Sequence, residues 1–157
     1  SSIYSNKTRE ELDMQLAPFM AAIVAGVPMV MVGHLSLPQI TGNSIPASIS
    51  PTIVQGLLRD DIGYDGVVIT DSLSMGALLE FCSPVDVGVA AIMAGCDIAL
   101  MPSDFAAAYA GLVDAISGER IPMERIDQSL MRILTLKLKS LPHLFDEAIQ
   151  EELAKND

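Results

Sequence analysis

Asp71 stands where a short apolar run, Val67-Val68-Ile69-Thr70, stops, and the small or polar residues Ser72, Ser74 and Gly76 follow it closely. A single carboxylate at the end of a buried strand is held rigidly and faces substrate, which suits a nucleophile or a general base. The plainer alternative is a helix N-cap or a turn carboxylate, because Asp and Ser follow strands in many α/β folds. His34 takes the equivalent place after Val27-Pro28-Met29-Val30-Met31-Val32-Gly33, so parallel strands put it on the same rim as Asp71. There it either contacts substrate or serves as a hydrogen-bonded structural residue. Ser74 and Met75 are near enough in sequence to line a pocket with Asp71, although Met also fills cores. The stretch 35–50 reads as a long polar loop on the same rim, of a length that is often functional. Asp60, Asp61, Asp65 and Asp97 precede strands and belong to the opposite end, while Asp104 falls in the first turn of a helix.

The elements that position these residues repeat as helix, small turn and apolar strand. Leu12, Leu16, Phe19, Met20 and Ile23 have helical spacing and lead through Ala25-Gly26 into the run at 27–33. Ser50 as N-cap and Pro51 at the first helical position open a second helix through Ile53, Leu57, Leu58 and Ile62. It turns at Asp65-Gly66 into the strand before Asp71. A third helix opens at Ser83-Pro84, with Asp86 three residues after the cap, and turns at Ala94-Gly95 into a strand at 96–101. An Ala-rich helix from about Asp104 to Ser117 and a last helix from about Pro122 follow, with Ile126, Leu130, Ile133 and Leu134 on one face. Apolar runs without alternation imply strands covered on both faces, as in parallel βαβ units. The turn glycines suit places where the backbone takes positive φ.

Composition narrows the classes. Of 157 residues, 20 are acidic and 9 basic, for a formal charge of −11. Such a surface repels phosphate backbones, so nucleic-acid partners are not expected. No window reaches the roughly eighteen apolar residues of a membrane span. The N-terminus lacks both an apolar leader region and an initiator Met, which reads as a processed or partial chain and leaves cytoplasm and cell surface both open. Cys82 and Cys96 form no Cys-x-x-Cys pair and read as buried free thiols; no metal site and no cofactor are expected. Dinucleotide, phosphate-loop, zinc-protease and nucleophile-elbow motifs are all absent. Three parallel strands leave two raw apolar edges, and a closed (β/α)8 barrel takes about 250 residues. The fold expected is therefore α/β, the C-terminal part of a (β/α)8 TIM-type barrel, with about three parallel strands and flanking helices.

The decapeptide Val68-Ile69-Thr70-Asp71-Ser72-Leu73-Ser74-Met75-Gly76-Ala77 resembles the nucleophile motif of glycoside hydrolase family 3, above all its β-N-acetylglucosaminidase branch. The resemblance runs in family order over roughly residues 8 to 146. Leu16-Ala17-Pro18-Phe19 and the run from Ala25 to His34 are similar to the helix and strand of the sixth unit. Pro46 to Pro51 and Leu57 to Val67 resemble the approach to the seventh strand. Ala94-Gly95-Cys96-Asp97 resembles the entry to the eighth, and Arg125-Ile126-Asp127 with Arg132-Ile133-Leu134 the closing helix. The resemblance implies one domain portion over 1–157, holding strands six to eight and the closing helices, with a charged tail at 146–157.

It further implies that Asp71 is the nucleophile of a retaining hydrolysis of terminal β-linked N-acetylglucosamine, in cell-wall or chitin-type glycans. His34, Ser74 and Met75 are then substrate-side candidates. The branch carries its acid/base as a His–Asp pair on a Lys-His-Phe-Pro-Gly-His-Gly type loop, which is absent here and precedes this segment in the family. Ser72 is a departure, because acetylglucosaminidases often have Asp there, and it leaves the exact glycan open. The expected partners are a carbohydrate and the upstream portion of the same barrel, from one precursor or a second chain. The contrasting expectation is an isolated half-barrel that self-associates through its open edges and is inactive. A Schiff-base aldolase barrel fits poorly, since the lysines lie at Lys7 or from Lys137 onward.

Overall fold

A computed structural model describes residues 3–141; the tail expected at 146–157 lies outside them. After a short strand β1 (Ile3–Tyr4), helix α1 (Arg9–Val24) begins at a reciprocal cap. The Thr8 hydroxyl accepts from the Glu11 amide at 3.3 Å, and Glu11 Oε2 accepts from the Thr8 amide at 2.9 Å, which satisfies two otherwise orphaned donors. Strand β2 (Met29–Val32) follows. The expected rim loop at 35–50 is largely ordered into β3 (Leu35–Ser36), α2 (Pro38–Thr41) and a 3₁₀ turn at Ala47–Ile49. β3 pairs in parallel with β1, a pairing without alternating pattern in either two-residue segment.

The second helix, Thr52–Asp61, starts one residue beyond Pro51, without a side-chain cap, and is wound as a π-helix. Its wide turns show in the Ile62 amide, which donates to Leu57 O at 3.0 Å. One face sends Ile53 and Leu57 to a cluster with Leu12, Leu37 and Ala47. The other sends Val54 and Leu58 into the main core with Val68, Leu73, Leu78, Ala91 and Cys96. Strand β4 (Val67–Thr70) comes next, then α3 (Val87–Ala94), α4 (Phe105–Ser117) and α5 (Met123–Ser140). The helix expected to open at Ser83 starts only at Val87, with Asp86 as its N-cap; Ser83 Oγ accepts from the Asp86 amide at 3.2 Å and closes a turn before it. Asp104 is the N-cap of α4, accepting from the Ala107 amide at 2.9 Å.

β2 and β4 are parallel and in register, Met29 opposite Val67 through Val32 opposite Thr70. The expected third strand is reduced to one parallel bridge between Ile69 and Ile98. The Ile98 amide donates to Val68 O at 3.2 Å and the Thr70 amide to Ile98 O at 3.1 Å. The next ladder bond is diverted, because the Leu100 amide donates to the Thr70 hydroxyl at 3.0 Å. A side-chain oxygen there takes the donor that a carbonyl takes in a continuing strand. Two glycines are required for different reasons. Gly95 ends α3 at φ 115°, a left-handed conformation costly for other residues. Gly66 instead leaves room for the Tyr64 ring, which a Cβ would overlap.

The N-terminal end of the sheet is organised by Asp97. Its side chain is fully buried and receives Arg59 Nη2 at 2.6 Å on Oδ2, together with the Val68 amide at 2.9 Å. Oδ1 accepts from Ser129 Oγ at 2.7 Å and Arg132 Nη1 at 3.3 Å, with Arg125 Nη1 at 3.6 Å. Arg59 also donates to Tyr64 O at 3.0 Å and Gly66 O at 2.6 Å. One carboxylate thus joins the π-helix, β4 and α5. The opposite flank is apolar and uncovered: Phe19 is 60% and Val24 88% exposed on α1, and Met31 is 55% exposed on β2.

Removing one partner of a buried charge network leaves the others unpaired, so Asp97→Asn is expected to cost about 3–5 kcal/mol. Urea unfolding midpoints check this against Asp65→Asn, whose carboxylate is 88% exposed and whose loss is expected to cost under about 1 kcal/mol. Equal midpoints for the two variants would remove Asp97 from its central role.

Burial, reinforced by the neighbouring Asp97 charge, pushes the Cys96 thiol from 9.0 up to about 12. Between those values the unfolded chain has lost a proton that the folded chain keeps, so stability is full below pH 9 and falls as pH rises. Cys82 and Tyr64, both raised chiefly by burial, act in the same direction. Unfolding midpoints followed from neutral to about pH 11 are expected to fall less steeply for Cys96→Ala than for the parent chain. Parallel alkaline slopes would contradict this.

Candidate active site

Asp71 is the first residue past the β4 ladder, and its backbone is still tied to the sheet. The Asp71 amide donates at 2.9 Å to the carbonyl of Val32, the last paired residue of β2. The side chain is half-buried. Its Oδ1 accepts from the Ser72 amide at 2.7 Å, and among the described residues no group bonds Oδ2. One oxygen is thereby oriented and the other left available. The turn that follows is closed by the Met75 amide donating to Ser72 O at 3.1 Å, and Ser72 Oγ lies 2.8 Å from Ser74 Oγ. Ser74 and Met75 are exposed on this turn, so the structure brings them to the rim beside Asp71.

His34 is also at this end but turned inward, 6% exposed. Its Nδ1 lies 2.7 Å from Ser48 Oγ, and its Nε2 lies 2.9 Å from Ser72 O. A carbonyl oxygen can only accept, so Nε2 carries the proton and Nδ1 accepts from the Ser48 hydroxyl in the neutral ring. Both ring nitrogens are engaged within the protein, which leaves neither for a sugar hydroxyl. Sequence reasoning missed Ser48, which is completely buried. Its only signal was a serine inside a Pro46–Pro51 stretch too hydrophobic for a solvated loop.

Asp61, Asp65 and Asp97 are away from this rim. Asp61 pairs with Arg9 at 3.1 Å and Asp65 with Arg132 at 3.0 Å, both as exposed carboxylates; Asp97 is enclosed at the far end. Hollows of about 530 and 360 Å³ also lie at that far end, around Gly63–Asp65 and Arg132, and neither is lined by Asp71, Ser74 or Met75. No group of three His, Cys, Asp or Glu side chains among the described residues is placed to hold a metal ion. No described helix is long and apolar enough to cross a membrane. A carboxylate with one fixed and one open oxygen, at the C-terminal end of a parallel strand, is suited to nucleophilic attack or proton abstraction.

Known proteins bear on this arrangement. Over 152 residues the chain is 34% identical to beta-hexosaminidase A of Pseudoalteromonas piscicida, a match covering 83% of this chain and 25% of that protein. It is 34% identical over 132 residues to the beta-N-acetylglucosaminidase/beta-glucosidase of Cellulomonas fimi, covering 76% of this chain and 23% of that protein. The chain therefore spans about a quarter of the length of these curated relatives. It superposes on the glycoside hydrolase family 3 beta-N-acetylglucosaminidase of Paenibacillus sp. str. FPU-7 with a TM-score of 0.82 and 40% identity, over 85% of this chain and 26% of that one. The fold is thus a partial α/β piece of the TIM-barrel type, with parallel strands and covering helices. The family described as Glycosyl hydrolase family 3 N terminal domain matches residues 3–136, and the chain belongs to that family.

Proposed function

We propose that this chain forms the nucleophile side of a retaining glycoside hydrolase acting on terminal β-linked N-acetylglucosamine. The observation that carries this reading is Asp71, its Oδ1 fixed by the Ser72 amide at 2.7 Å and its Oδ2 open at the end of β4. Oδ2 attacks the anomeric carbon from the face opposite the aglycone while an acid protonates the glycosidic oxygen. The C–O bond to the aglycone breaks and a glycosyl–Asp71 ester forms. Water, deprotonated by the conjugate base of that acid, then attacks the same carbon and releases Asp71, and the two inversions give net retention. Ser74 and Met75, exposed on the turn after Asp71, line the sugar side.

The acid/base belongs to a segment upstream of these residues, since no described His is open to the rim and the expected His-bearing loop motif is not in the sequence. The preceding strands of the barrel pair with the free edge of β2, where Met29 and Met31 are exposed. On this reading 1–157 supplies strands six to eight of the barrel with its closing helices. The hexosaminidase names of the relatives support N-acetylglucosamine as substrate, and the Cellulomonas name makes β-glucosides the comparison substrate. The exposed apolar flank of α1 and β2 also supports a second reading, a self-associating and inactive half-barrel.

In the complete enzyme, Asp71→Ala is expected to lower kcat on a chromogenic N-acetyl-β-glucosaminide by on the order of 10⁴- to 10⁶-fold. Added azide is expected to restore turnover and give the α-glycosyl azide, because a small anion enters from the vacated nucleophile face. A fluorinated glycosyl fluoride trapped on another carboxylate would overturn the assignment.

The polypeptide 1–157 by itself is expected to show no turnover, and activity is expected on joining or mixing it with its upstream segment. Size-exclusion chromatography run beside that assay separates the two readings. A homo-oligomer that stays inactive with the upstream segment favours the half-barrel.

A further inference from the structure

Asp71 is held less by its own contacts than by the peptide unit one residue on. In the 72–73 peptide, Ser72 O receives both His34 Nε2 at 2.9 Å and the Met75 amide at 3.1 Å. The Leu73 amide of the same unit donates to Leu100 O at 2.8 Å. Both polar atoms of that plane are thus occupied, its carbonyl twice. The amide just before it, Ser72 N–H, is the group that fixes Asp71 Oδ1. The backbone on the other side of Asp71 is tied to Val32. Apart from Asp71 itself, His34 is the only side chain among these donors and acceptors, and it ties the turn to the segment just after β2.

His34 is in turn fixed by Ser48. That serine is fully buried in the 3₁₀ turn Ala47–Ile49, and its hydroxyl lies 2.7 Å from Nδ1. Ser72 O can only accept, so the ring proton stays on Nε2, and the Ser48 hydroxyl turns to meet the lone pair left on Nδ1. The rim segment 35–50 therefore returns beneath the strand ends to seat one hydroxyl against one imidazole. A buried His satisfied only for packing needs partners at its two nitrogens, but it has no need for one of them to be the nucleophile turn.

We infer that His34, its ring seated by Ser48, is a positioning residue for the Asp71 carboxylate rather than a sugar ligand: through Ser72 O it fixes the turn whose amide aims Oδ1. The inference rests on Asp71 being the nucleophile. A displacement of about 1 Å at a reacting group costs about a hundredfold in rate, which sets the expected size of the effect. Because ground-state sugar binding does not run through His34, the loss belongs in kcat and not in KM.

The test uses the complete enzyme with a chromogenic N-acetyl-β-glucosaminide and three variants. His34→Leu is expected to lower kcat about a hundredfold with KM within about threefold of the parent. His34→Gln, whose side-chain amide can donate to Ser72 O, is expected to recover about tenfold of that loss. Ser48→Ala, which removes the partner that seats Nδ1, is expected to lower kcat about three- to tenfold while the thermal midpoint stays close to the parent's. A loss confined to KM overturns the inference in favour of direct sugar contact. Parental kcat in His34→Leu or in Ser48→Ala overturns it as well, as does a Gln variant no faster than a folded Leu variant. If His34→Leu does not fold, the Gln and Ser48→Ala variants decide. Trapping of the parent enzyme with a fluorinated N-acetylglucosaminyl fluoride keeps the two proposals apart. A label on Asp71 with unaffected variants removes only the role of His34, whereas a label elsewhere removes the nucleophile.

Discussion

The charge of Asp97 is the constraint on which the sheet end depends. A carboxylate buried without partners is far too costly to persist, and here it is met by Arg59, Arg125, Arg132, Ser129 and a strand amide. Those partners come from the π-helix, β4 and α5, elements that share little other packing at this end. The network is less a source of stability than a condition on geometry, since a hydrophobic replacement of such a network is often neutral. What it does is admit one arrangement of three elements and penalise the rest. Burial lowers the Arg125 pKa while Asp97 opposes that shift, so each member depends on the others being in place.

Two aspartates at opposite ends of neighbouring strands show how environment assigns work to one residue type. Asp97 has both oxygens saturated and its side chain closed off from water. Asp71 has one oxygen tied and one open. In a parallel barrel the N-terminal face carries stability and the C-terminal face carries chemistry, and β4, spanning roughly 13 Å at about 3.3 Å per residue, separates the two. Rigidity imposed through Val68 at one end is transmitted along four paired residues to the other. A carboxylate on a free loop would need its own ordering entropy at each turnover; here the sheet has already ordered it.

Much of this was legible in the residues. The helix–turn–strand repeat, the start of a helix near Asp104 and the Ser83 turn follow from local patterns of one to four residues, while the family order rests on a resemblance along most of the chain. The misreadings share a different cause. Thr70 ends the third strand by offering a hydroxyl to Leu100, thirty residues away, and nothing local distinguishes that threonine from any strand threonine. The stretch 35–50 looked like a loop because its Pro, Ser and Asn content is a loop's, yet its end is buried by contacts to α3 and the π-helix. The sequence leaves His34 open between a substrate contact and a hydrogen-bonded structural residue, because its place after the strand locates the residue but does not say which way its ring turns. Ser48 gave only the apolar setting of its own stretch as a signal, since its importance lies in one contact fourteen residues distant.

The His34 contact nevertheless obeys a simple rule. His34 and Ser72 are 38 residues apart, the same separation that relates every paired residue of β2 and β4. The contact is the sheet register continued two residues beyond the strands, with an imidazole in place of a backbone donor. Asp97 obeys the same rule on the other side, 29 residues from Val68, as Ile98 is from Ile69. Both ends of the site are therefore consequences of register. A one-residue slip of β2 against β4 would break the His34 contact and turn every side chain of the strand to the wrong face. Whatever covers the open edge of β2 must respect that register, because any partner strand that shifted β2 would loosen the Asp71 turn before it touched the carboxylate.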